Sequence, residues 1–66
     1  MPDSSAVRSV ALALMAQYGD DAEVIAVLRA AEIAAEGDQA GLEHWDAVIA
    51  LIQAMNQPGV APQSLN

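Results

Sequence analysis

Residues Ala34 to Trp45, AAEGDQAGLEHW, interrupt a chain that otherwise reads as almost continuous helix, and they hold its single His and single Trp, His44 and Trp45. Gly37 follows an alanine-rich run and can take the left-handed conformation that closes a helix. Asp38 comes next, where its carboxylate can accept from the open N–H groups of a following helix. Gly41 lies one turn before Trp45 on the same helical stripe, so it removes a side chain where that helix must approach its neighbour closely. The stretch reads as a bend with a packing role rather than a reactive loop.

Working outward, the third helix runs from about Gln39 to Asn56, where NQPG ends it because Pro58 cannot continue a helix. Gly41, Trp45, Val48, Ile52 and Met55 form its apolar stripe, with Glu43, Asp46 and Gln53 opposite. Upstream, a second helix spans about Asp21 to Glu36. Asp20 occupies its N-cap position and Glu23 stands three residues later, the spacing of a capping box. A first helix covers about Ser5 to Tyr18 and stops at Gly19, with Val7, Val10, Ala11, Leu14 and Tyr18 as its best stripe and Leu12 and Met15 off it. Two- and three-residue connections force such helices to fold back on one another. The expected fold is all-α: one domain over residues 1–56, a three-helix unit built on an antiparallel helical hairpin, followed by a disordered tail over residues 57–66.

Helix two is apolar around most of its circumference. Val24, Leu28, Ala31 and Ala35 make one face, Ala26, Ala30 and Ile33 another, and Arg29, Glu32 and Glu36 form a narrow polar strip. Two neighbours in a three-helix unit cannot cover such a helix entirely. The expectation is a homodimeric helical bundle, with Ala26, Ala30 and Ile33, joined by Leu12 and Met15, at the interface.

Composition agrees. The chain has 66 residues, 55% of them apolar, with no Cys and no Phe. That is about half the usual ~100–150 residues of a domain, and without disulfides or a zinc cluster the remaining support for so small a core is association. Nine Asp or Glu face two Arg, giving a net charge of -7. Such a chain repels phosphate, so neither nucleic acid nor an anionic membrane is an expected partner. The acidic start MPDSS and the short apolar run after it match no secretory signal, and the expected location is the cytoplasm.

The chemistry reads mostly as exclusions. Ser4, Ser5, Ser9 and Ser64 have no base placed beside them, and His44 has no carboxylate three or four residues away to orient it. Asp20, Asp21 and Glu23 are accounted for by capping, and Glu32 with Glu36 lack the Glu-x-x-His companion of a di-metal site. Asp38 stands where a phosphate would sit in EGDQAG. No catalytic, cofactor or metal residue is assigned, and no cofactor is expected; Gly19, Asp20, Glu23, Gly37, Asp38, Gly41 and Trp45 are read as structural.

From Tyr18 to Met55 the chain resembles a group of short uncharacterised bacterial proteins that share Gly-Asp-x-Ala, then Arg-Ala, then Gly-Asp-x-x-Gly-x-x-x-Trp before an aliphatic helix. The matching residues are Gly19, Asp20, Ala22, Arg29, Ala30, Gly37, Asp38, Gly41 and Trp45. The resemblance implies a helical hairpin of bacterial origin and no activity. The group's third helix is more basic than WDAVIALIQAM, so no binding surface is carried over.

The function expected is a small acidic protein–protein interaction module, self-associating, in an accessory or regulatory role rather than an enzyme. The alternative is an acidic inhibitor that imitates a phosphate array and binds a basic surface of a nucleic-acid-binding enzyme, through Asp20, Asp21, Glu23, Glu32, Glu36, Asp38, Glu43 and Asp46.

Overall fold

A computed structural model describes residues Ser4 to Asn56, all-helical in architecture, so the tail expected over residues 57–66 lies outside the described residues. Among them, α1 spans Ser4–Tyr18, α2 spans Ala22–Ala35 and α3 spans Gln39–Met55, with a single 3-10 turn at Gly19–Asp21 between the first two. The helices start and stop within a residue of where the sequence predicts them.

The α2–α3 corner is closed by backbone hydrogen bonds that its sequence makes possible. Gly37 adopts φ +78°, a left-handed conformation that costs an L side chain about 1–2 kcal/mol. In that conformation its N–H donates to the Ala34 carbonyl at 3.0 Å and the Asp38 N–H to the Ile33 carbonyl at 3.3 Å. These are the two bonds of a Schellman motif, which satisfy the last carbonyls of α2. Asp38 then opens α3 without an intervening residue: its backbone is extended, its carboxylate accepts from the Gly41 N–H at 2.9 Å, and its carbonyl accepts from Leu42 N–H at 2.9 Å.

Gly41 is fixed by this same corner. A Cβ at that position would stand 2.8 Å from the Asp38 carboxyl carbon and 3.0 Å from Ile33 Cγ2 on α2. The missing side chain leaves room for the cap as much as for the neighbouring helix.

Helices α2 and α3 share the most extensive contact in the fold, and α1 packs against both, more on α3 than on α2. The hairpin is antiparallel: Gln53 near the end of α3 donates from Nε2 to Glu23 Oε2 at the start of α2, 2.9 Å away. Where the helices meet, the core consists of Val7 and Ala11 from α1, Ala22 and Ala26 from α2, and Val48 and Ile52 from α3. Ile52 and Val48 are its largest fully buried side chains. Alanines supply the contribution of α2 to this core and half that of α1.

The expected stripe of α3 is present at Val48 and Ile52, while Trp45 is half-buried and packed against the core edge. Met55 at the end of the stripe is 40% exposed, since α3 there runs beyond the helices it covers.

A core lined by alanine should be intolerant of added volume. Ala26→Leu is expected to cost about 1–3 kcal/mol through overpacking, whereas Val27→Leu on the next, exposed position should stay within about 0.5 kcal/mol; chemical denaturation followed by circular dichroism measures both. At the corner, Gly41→Leu gains helix propensity but must displace the Asp38 carboxylate and Ile33. It should melt at a lower temperature than Ala40→Leu, whose position is exposed.

Candidate functional surface: the outer face of α2

Sequence periodicity offers α2 two apolar faces, and packing chooses between them. Ala22, Ala26 and Ala30 are buried, and Ile33 is half-buried with its Cγ2 beside Gly41. The opposite side carries Val24, Val27 and Leu28, exposed to 58%, 48% and 57%, and continues through Ala31, Ala34 and Ala35, which are also exposed.

This corrects the expected interface. Ala26 is inaccessible and Ala30 nearly so, because both face the chain's own α1 and α3; neither can meet another chain without opening the fold. Met15 and Ile33 are half-buried, Met15 against the core. Leu12 alone of the five stands open, at 46% exposure. The physical reason is size: alanine permits the close approach of three helices, and the bulkier Val24, Val27 and Leu28 would hold them apart. The sequence shows the difference in side-chain volume between the two faces, but which volume the interior admits follows only from the packing of the three helices.

The outer face has a polar border on one side only. Arg29 Nη1 lies 3.2 Å from Glu32 Oε1, with both side chains more than half exposed, an arrangement worth a few tenths of a kcal/mol. A shallow groove beside this pair is lined by Tyr18, Ile25, Leu28, Arg29 and Glu32. On the other border stand Val27 and Ala34. The result is an apolar strip about 16 Å long from Val24 to Ala35, at 1.5 Å per residue, with charge along one edge.

Other sequence-predicted residues are placed as follows. Gly19, with φ +58°, and Gly37 close α1 and α2 as expected. Asp38 caps α3 as expected. Asp20 and Glu23 do not form the expected capping box: Gly19–Asp21 winds as a 3-10 turn that leads straight into α2, Asp21 becomes the flanking residue, and no side chain caps the helix there. The turn gives the flanking residues helical dihedrals, whereas a capping side chain needs the extended backbone that Asp38 has. Glu23 instead receives the Gln53 amide and ties the open end of the hairpin.

Among the described residues, no three His, Asp or Glu groups converge as a metal site would require. His44 is half-buried, its ring edge-on to Trp45 with centroids 5.7 Å apart. Ser4, Ser5 and Ser9 lie exposed in the first turns of α1, and Ser64 falls outside the described residues. Asp20, Asp21 and Glu23 stand at one end of α2 while Glu32 and Glu36 stand at the other, roughly 20 Å away along its axis. Three of the eight carboxylates named for phosphate imitation already accept from Gly41, Arg29 or Gln53.

No protein-family model, curated protein or solved structure matches this chain. The surface itself is then the guide to function. Among the described residues no helix is long and apolar enough to cross a membrane.

The two aspartates named as caps are separable by experiment. Asp38→Ala should cost about 1 kcal/mol through loss of the bond to Gly41 N–H, and Asp20→Ala should stay within about 0.5 kcal/mol, both read from urea unfolding midpoints.

Proposed function

We propose that this chain is an acidic protein–protein interaction module that associates with itself, acting by binding rather than catalysis, as an accessory or regulatory protein of the cytoplasm. The observation that carries this reading is the cluster of exposed Val24, Val27 and Leu28 on one face of a helix whose opposite face is already buried. Exposed apolar side chains grouped on one helix face, rather than scattered singly, are the kind of surface through which proteins meet a partner.

Self-association also suits the composition. The internal core is largely alanine, with two larger fully buried side chains, Val48 and Ile52. Covering the outer face of α2 would remove more apolar area from water and stabilise the fold by mass action. The net charge of -7 opposes the approach of two copies, and screening over a Debye length of about 10 Å at 0.1 M salt weakens that opposition.

Sedimentation velocity across micromolar to hundreds of micromolar protein should show a reversible monomer–dimer equilibrium that strengthens as sodium chloride is raised. Leu28→Glu should leave the helical circular dichroism unchanged and shift the equilibrium to monomer. A wild-type chain that sediments as a monomer throughout that range would overturn the reading.

A further inference from the structure

The outer face of α2 is complementary to itself when reversed. Val24, Leu28, Ala31 and Ala35 are spaced four, three and four residues apart, a pattern that reads the same in both directions. Their sizes do the opposite: the two large side chains lie toward the start of the helix and the two small ones toward its end. A second copy laid antiparallel, with its two-fold axis between Arg29 and Ala30, therefore sets Val24 against Ala35 of the other copy and Leu28 against its Ala31. Each large side chain meets a methyl group, and the two helix axes stay at one distance along their whole length. A parallel pair would set large on large at one end and small on small at the other, and the helices would splay.

The borders agree with the same register. A two-fold axis perpendicular to the plane of the helices brings like borders together. On the apolar border, Val27 of one copy comes within two residues of Ala34 of the other. On the polar border the order along the seam is Glu32, Arg29, Arg29, Glu32 from alternate copies, so each Arg29 stands beside the other Arg29 and within two residues of the other copy's Glu32. Parallel pairing, about an axis along the helices, would instead set the polar border of each copy against the apolar border of the other, with no Glu32 beside Arg29 across the seam. The helix dipoles also oppose in the antiparallel arrangement.

We infer that the partner of this face is a second copy of the chain, joined by antiparallel packing of α2 on α2 with Val24 opposite Ala35 and Leu28 opposite Ala31. This rests on the self-association proposed above and adds its geometry. A strip about 16 Å long and about 10 Å wide buries less than the roughly 800 Å² per partner of a standard interface. The dimer is accordingly reversible and responds to concentration.

The chain contains no Cys, so single cysteines report the register without background. In the inferred dimer, residues 24 and 35 of opposite copies face each other across the seam, while residue 24 and its own symmetry mate lie roughly 16 Å apart along the axis, well beyond the Cα separation of up to about 7 Å that a disulfide spans. Val24→Cys and Ala35→Cys proteins, mixed under mild oxidant, should give mainly the mixed disulfide, identified by mass; either alone should cross-link much more slowly. Rapid cross-linking of Val24→Cys with itself would overturn the antiparallel register while leaving self-association intact. A wild-type dimer in sedimentation with no cross-link in any arm would place the contact on another face, and a monomeric wild type would remove both the register and the self-association beneath it.

Discussion

The corner at Glu36, Gly37 and Asp38 is the constraint from which the rest follows. Two residues separate the end of one helix from the N-cap of the next, and the chain itself supplies partners for the helix-end carbonyls and N–H groups there. Gly37 does this for α2 through its left-handed backbone, and Asp38 does it for α3 through its carboxylate. Together the two caps fix how the chain turns from α2 into α3. The Glu23–Gln53 hydrogen bond at the far end of the same hairpin holds the helices together where the corner's influence has faded.

Once α2 and α3 lie antiparallel, α1 completes the fold by covering their seam, and alanine decides how closely it can do so. Ala11, Ala22 and Ala26 are wholly buried against Val48 and Ile52, so α3 supplies the large side chains of the core and α1 and α2 meet them largely with methyl groups. Close approach trades buried side-chain volume for dense contact, and so small a core gains modest hydrophobic stabilisation. The same choice sends Val24, Val27 and Leu28 outward. The exposed face of α2 is thus the counterpart of the alanine core, and its capacity to meet another surface comes from the way the interior is packed.

The legible parts of this protein are the ones governed by local chemistry. Gly19, Gly37 and Asp38 mark helix ends through conformations and hydrogen bonds that involve only nearby residues, and Val48 and Ile52 stand on a stripe with polar residues opposite. Asp20 and Glu23 misled because the capping pattern is also local but depends on the backbone entering the helix in an extended conformation; a 3-10 turn at Gly19–Asp21 removes that condition. Trp45 was legible as an apolar anchor, and it is half-buried, packed against the edge of the core.

The sequence by itself determined where the helices begin and end, that two of them form a hairpin, and that α2 has more apolar surface than one side can bury. Tertiary structure alone decided which face of α2 turned inward. Hydrophobic periodicity is nearly equal on its two faces, so it carries no preference; the face that packs on α1 and α3 is the one of Ala22 and Ala26, and the bulkier Val24, Val27 and Leu28 are left exposed. That choice is a property of three helices together, which no single segment of the chain encodes.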